Sequence, residues 1–223
     1  MVDHADLFLS IFRRRGWLRR HVRLNGAVWP ASRGPFLAVT FHWGAGLWGL
    51  RHLRAQGRDV AVLVRDIPLG AFKGRPILAA YAGLRSRQTA TAGGVETVPS
   101  SVNSLRELKK RLVAGQNLVA LLDVPAEGKK NVLRAPFLGR TGVFPRGLAY
   151  LAASNRIPVL VYTTGLDPES GDRILDISDV VVSDDESIVM GFLVDRLERA
   201  IYEHSANWHQ WAGVGAFFSL DHK

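Results

Sequence analysis

His42 is the residue of this chain best placed to do chemistry. It closes an apolar run and is followed by two glycines and a helical pattern, in "TFHWGAGLWGL", residues 40–50. A neutral imidazole in that position can take a proton from an attacking hydroxyl or amine, general-base work worth roughly 10²–10⁴-fold. The backbone N–H groups of Trp43 and Gly44 would open the next helix, where they favour developing negative charge. Glycines at 44 and 46 let a substrate approach the backbone closely. The bland alternative, equally open, is a histidine satisfied in a strand-to-helix turn. A histidine base works best with a carboxylate that fixes its tautomer and stabilises the imidazolium. Neutralising that partner costs a serine protease about 10⁴ in rate. Three acids fall where they can reach the ring: Asp123 at the end of the central strand, Glu127 in the loop after it, and Asp66 after the second strand. Glu96 is less well placed. A strand-end aspartate such as Asp123 can equally serve by accepting backbone N–H bonds in the next loop.

Basic residues gather near the same edge. Arg65 ends a strand, and Lys129, Lys130, Arg140 and Arg146 lie in or around a long loop. The planar fork of arginine suits phosphate. A solvated basic rim is the alternative for each of them singly. Trp43, Trp48, Phe72 and Phe144 are candidates to line an apolar slot, although aromatics at such spacings often belong to the core. With no cysteine in the chain, disulfides and thiolate metal sites are excluded. No metal and no bound cofactor are expected.

The elements that must hold these residues alternate. "FLAVTF" (36–41), "DVAVLVR" (59–65), "VETVPS" (95–100), "NLVALLD" (117–123) and "IPVLVYTT" (157–164) read as strands, with "RILDISDVVV" (173–182) as an outer one. Helical patterns cover 44–57, an interrupted stretch to about Leu84, 101–115, 145–155 with proline in the first turn, and 187–204. Residues 124–142 read as a polar loop. The near-continuous apolar character of 117–123 marks a strand covered on both faces. The alternation predicts an α/β fold: a mostly parallel central sheet flanked by helices. In such sheets ligands bind beyond the carboxyl ends of the strands, which is where His42 and Asp123 fall.

The bulk numbers set the frame. A chain of 223 residues, 47% hydrophobic, is enough for one core, and residues 1–223 are expected to form a single domain. Residues 1–30 are expected to be a basic amphipathic helical segment, with Leu7, Phe8, Ile11, Phe12, Leu18 and Val22 near helical spacing among six arginines. Such a helix can lie in a membrane interface or pack its stripe on the domain, and Gly16 weakens it. No apolar run approaches the ~20 residues of a membrane span. The arginines follow the amino-terminal apolar stretch instead of preceding it, unlike a signal peptide. A cytoplasmic protein is expected, either free or peripheral at the inner face of the cytoplasmic membrane. The net charge of +9 favours an anionic partner, either a membrane surface or an acidic carrier protein. Nucleic acid is not expected, because no zinc-finger, helix-turn-helix or RNP-like pattern is present.

The order of these blocks resembles the lysophospholipid acyltransferase superfamily, in particular the branch of late lipid A acyltransferases and phosphatidylinositol mannoside acyltransferases. The matching stretches are "HWGAGL" (42–47), "VAVLVR" ending at Arg65, "VALLDV" with Asp123, "APFLGRTGVFPRGLAYLAA" (135–153), "RIPVLVY" (156–162) and "NWHQW" (207–211). The loop "VPAEGKK" (124–130) is similar to the wider superfamily's Pro-Glu-Gly block, which helps bind the acceptor's phosphate. The resemblance implies a glycerolipid acyltransferase-like fold. It also implies acyl transfer from a thioester, coenzyme A or the phosphopantetheine of acyl carrier protein, to a hydroxyl or amine. It makes His42 the base. The family carboxylate stands five residues on, where this chain has Leu47. Three accounts of Leu47 stay open: a substitute acid, an amine acceptor that needs less base strength, or a non-catalytic relative that binds an acylated partner. A thioester hydrolase using the same histidine on water is a further alternative.

Overall fold

A computed structural model describes residues 2–13, 15–31, 34–44, 46–64, 72–93, 97–101, 103–126 and 130–218. In chain order the elements are α1 (Val2–Phe12), α2 (Arg15–His21), β1 (Val22–Gly26), β2 (Leu37–Thr40), α3 (Leu47–Ala55), β3 (Val60–Val64), α4 (Pro76–Gly93) and β4 (Val98–Pro99). They continue with α5 (Ser104–Val113), β5 (Asn117–Leu121), β6 (Val132–Phe137), β7 (Arg140–Pro145), α6 (Gly147–Ser154), β8 (Val159–Leu166), β9 (Arg173–Ile177) and α7 (Glu186–His204). Two short 3₁₀ turns, Ser205–Asn207 and Trp211–Phe217, follow.

Among the described residues, seven strands form one sheet in the order β1-β9-β8-β2-β5-β3-β4. Every neighbouring pair is parallel except β8–β9. The expected mostly parallel α/β sheet with flanking helices is therefore the observed fold. Both faces are covered, and the period-two alternation of the strands divides the core in two. Leu37, Val39, Leu118, Ala120, Val159 and Val161 pack with α5, α6 and α7 on one face. Ala38, Val119, Leu160 and Tyr162 pack with Trp48 and Leu53 of α3 on the other. Burial on both faces is why these strands read as unbroken apolar runs.

Three segments depart from the expectation. The strand expected at the outside of the sheet over residues 173–182 is β9, which ends at Ile177 and lies between β1 and β8. Residues 124–142 are not one polar loop: β6 and β7 pair as an antiparallel hairpin with Phe137 opposite Arg140. Its two-residue turn has Leu138 at φ 50° and Gly139 at φ 72°, both left-handed, as the twist of a tight hairpin demands. Glu198 of α7 accepts the Leu138 N–H at 2.7 Å, which holds the non-glycine residue there. Pro145, expected in a helix's first turn, ends β7 instead.

The third departure is at the amino terminus. The helical segment expected over residues 1–30 breaks after Phe12 and ends at His21, and the chain then runs out as β1 alongside β9. Asp172, at the head of β9, receives both His21 Nδ1 at 3.0 Å and Arg23 Nε at 2.6 Å, which draws the chain into strand register. The apolar stripe of α1 does pack on the domain in part, with Leu7 buried. Beside it the buried Asp6 accepts the Trp48 indole N–H at 2.9 Å and Arg173 Nε at 3.1 Å, with a second Arg173 nitrogen on its other oxygen. Arg51 donates to the carbonyl oxygens of Ser10 and Arg13 at the end of α1, where a cation suits the helix terminus.

Removing Asp6 would leave the Arg173 guanidinium buried without its counter-charge. Asp6→Ala is expected to cost about 3–5 kcal/mol, read as a lowered urea midpoint. The exposed pair Arg156–Asp184 is expected to contribute at most about 1 kcal/mol in the same assay.

Candidate active site

Strand register brings the two central residues of the site together. β2 and β5 are parallel neighbours with Thr40 opposite Leu121. Two residues further along each chain, at the same sheet edge, stand His42 and Asp123. His42 Nδ1 lies 3.0 Å from Asp123 Oδ1. The His42 backbone N–H also donates to both carboxylate oxygens, at 2.9 and 2.8 Å. A carboxylate accepts when ionised, so Nδ1 is the nitrogen set to donate to it and Nε2 the one left for a reacting group. Asp123 is fully buried, while 34% of the His42 side chain is exposed. One end of the ring is anchored and the ring itself stays accessible. Leu47 is partly buried and packs against the core cluster on the α3 face. Of the three candidate acids, Asp123 is the one placed against the ring; Glu127 and Asp66 lie outside the described residues.

A third group completes the carboxylate's surroundings. The indole N–H of Trp208, buried just beyond the end of α7, donates to Asp123 Oδ2 at 2.8 Å. Its segment is stitched to the histidine loop by a short antiparallel bridge between Trp43 and Trp208. In that bridge Gly44 N–H donates to the Asn207 carbonyl at 3.0 Å and His209 N–H to the His42 carbonyl at 2.8 Å. Trp208 is not among the site residues that the sequence suggests. The only signal was its membership of the "NWHQW" block, which says nothing of what the indole touches.

The bridge corrects the role expected of Gly44. Its N–H is occupied by Asn207 and does not face a substrate. The residue is needed for another reason: its φ is +41°, and a Cβ there would lie 2.3 Å from the Thr164 carbonyl oxygen. Behind it, a Cβ on Gly49 would lie 2.2 Å from the Tyr162 ring, so α3 also packs at glycine distance from β8. Burial raises the Tyr162 hydroxyl above its ordinary range, which keeps it neutral against the helix.

The other expected residues divide. Trp43 is buried and meets Phe41 edge-on with centroids 6.5 Å apart. Phe144 is fully buried against Phe137 and Phe217. Both are core residues and not the walls of an open slot, as is Trp48, whose indole binds Asp6. Arg146 pairs with Glu186 at 2.7 Å and lies over the Tyr150 ring; that hydrogen bond raises the guanidinium's pKa further. Glu186 opens α7, roughly 28 Å of helix before the segment that meets His42, so Arg146 does not join the site. Arg140 is exposed on β7 with its guanidinium 4.3 Å from the centre of the Phe218 ring. Lys130 is exposed. Arg65 and Lys129 lie outside the described residues. Among the described residues no group of three or more metal-ligating side chains converges. A cleft of about 300 Å³ lined by Trp29, Pro30, His52 and Arg58 opens beside the last turns of α3, away from His42.

No protein-family model matches the chain, and no curated protein matches it. Among solved structures, the crystal structure of the 1-acyl-sn-glycerophosphate (LPA) acyltransferase, PlsC, from Thermotoga maritima is similar at 18% identity, over 92% of this chain and 88% of that one, with a TM-score of 0.48. That is a likeness of outline, and what the chain does rests on the geometry of its own site.

Gly44→Ala forces a side chain into a left-handed position against Thr164 and is expected to cost about 1–3 kcal/mol in thermal or urea unfolding. Gly46→Ala meets nothing nearer than 3.9 Å and is expected to be neutral or to stabilise by up to about 1 kcal/mol.

Proposed function

We propose that the chain is an acyltransferase that moves an acyl group from a thioester donor to a hydroxyl or amine acceptor, with His42 as general base and Asp123 as its orienting partner. The observation that carries this reading is the contact of His42 Nδ1 with a fully buried carboxylate at 3.0 Å, on a ring whose side chain is a third exposed. The resemblance of the sequence blocks to acyltransferases supports it independently.

In this reading Nε2 takes the proton of the acceptor as its oxygen or nitrogen attacks the thioester carbonyl. Asp123 stabilises the imidazolium so formed. The tetrahedral adduct then collapses, the carbon–sulfur bond breaks, and the imidazolium returns its proton to the leaving thiolate. No metal enters this sequence. Because Asp123 stands where a partner is needed, Leu47 no longer argues for an amine, and a hydroxyl acceptor is served equally well. Arg65, Lys129 and Arg140 are proposed to meet the phosphates of acceptor or donor, the donor being coenzyme A or a carrier-protein phosphopantetheine.

We further propose that α1 and α2 rest on an anionic membrane surface. Phe8 is 50% and Phe12 76% exposed, and the exposed Arg13, Arg15, Arg19 and Arg20 flank them. Bulky apolar side chains among arginines suit a bilayer interface, whereas an acidic carrier would be met by charge alone. Among the described residues no helix is long and apolar enough to cross a membrane.

Incubation with acyl-coenzyme A or acyl carrier protein and matched hydroxyl and amine acceptors is expected to yield an acylated acceptor. His42→Ala is expected to abolish turnover, and Asp123→Asn to lower kcat by about 10²–10⁴-fold. Free acid as the sole product would assign a thioester hydrolase, and donor binding without turnover a non-catalytic relative. Sedimentation with anionic vesicles is expected to retain the protein at low salt and release it as salt rises. Phe12→Ser together with Arg19→Gln and Arg20→Gln should weaken retention. Salt-sensitive binding to carrier protein with none to vesicles would reject the bilayer assignment.

A further inference from the structure

We infer that Trp208 is a positioning residue of this site, acting on His42 through Asp123; the inference rests on the reading of His42 as the base. The Asp123 carboxylate has no exposed surface, and among the described residues three donors reach it: the His42 ring, the His42 backbone N–H and the Trp208 indole N–H. Two of the three belong to the residue being oriented. Trp208 is the donor, among those seen, that ties the carboxylate to another part of the chain.

The chemistry of the indole suits that task. It donates and cannot accept, so the Oδ2 facing it serves as an acceptor, and a proton on that oxygen could not be directed at the indole. In this inference the carboxylate is oriented to accept from Nδ1–H, which favours the tautomer whose Nε2 is basic. The backbone on either side of Trp208 is held by the Asn207–Gly44 and His209–His42 hydrogen bonds. The donor is therefore fixed in the same frame as the ring it steadies. Trp208 is also packed against Phe137, Trp211 and Phe217, which leaves the indole little freedom to turn its N–H away. The segment after α7 thus forms a third wall of the site, alongside the ends of β2 and β5.

The test replaces the donor and keeps the shape. Trp208→Phe removes the N–H. Incorporation of 3-benzothienylalanine at position 208 removes it with the bicyclic ring retained, so it serves where the smaller ring fails to fold. In the full-length protein the ring-nitrogen ¹⁵N resonances of His42 are expected to show the Nδ1–H tautomer in the natural chain. In either variant they are expected to move toward a mixture of the two tautomers. With an acyl donor and acceptor, kcat is expected to fall about 10- to 100-fold, the size of a hydrogen bond to a charged group, with KM little changed. Unchanged ring-nitrogen resonances in a folded variant, whatever happens to kcat, would overturn the inference and leave Trp208 a packing residue. The resonance measurement needs no substrate. A natural chain that transfers no acyl group while these resonances still respond would therefore reject the proposed function alone.

Discussion

A carboxylate sealed from water must have its oxygens occupied by donors, because an unpartnered buried charge costs several kcal/mol. At Asp123 that requirement organises the whole end of the sheet. It pulls the histidine loop down through the His42 backbone N–H, turns the imidazole through Nδ1, and recruits an indole from the far end of the chain. The donors come from the loop after β2 and from the segment after α7, and the carboxylate from the end of β5, so the arrangement exists only when all three are in place. The fold is therefore a precondition of the ring's orientation as well as its scaffold.

Why the carboxylate comes from β5 follows from strand register. A histidine placed two residues beyond a parallel strand can be reached by an acid in the first turn of the following helix, or by one beyond the end of the neighbouring strand. In this chain the helix position is Leu47, which turns into the core formed with α3. Thr40 opposite Leu121 sets Asp123 level with His42. In this chain the strand-end route brings the carboxylate to Nδ1. The two routes differ in what surrounds the carboxylate, since an acid at a strand end lies deeper and must find more donors.

Much of this was legible in the sequence. The central strands were, because burial on both faces leaves an unbroken apolar run that reads as a strand at the right length. Asp123 was legible as a candidate, because strand ends at one edge of a parallel sheet converge. The hairpin of β6 and β7 was not, since its turn puts leucine in the left-handed region and its strands carry arginine and proline. The Leu138 N–H in that turn finds its acceptor in Glu198, 60 residues away. β1 was hidden by the helical spacing before it, and the ion pairs that end the helix lie on Asp172. Trp43 and Phe144 are candidates for either core or slot in the sequence and lie in the core, because periodicity cannot separate a buried ring from one lining a cleft.

The Gly44 N–H illustrates a further limit on reading chemistry from a strand-to-helix turn. Glycines after a histidine suggest open backbone donors, and here the donor is occupied by the chain itself. The same bond explains the glycine: a bridge that brings Asn207 this close, with Thr164 behind, leaves no volume for a Cβ. Closure of the loop by the segment after α7 and orientation of the carboxylate by Trp208 are two effects of one short bridge. A change that loosened that bridge would release both at once, so the loop's backbone and the orientation of the ring are coupled through the segment after α7.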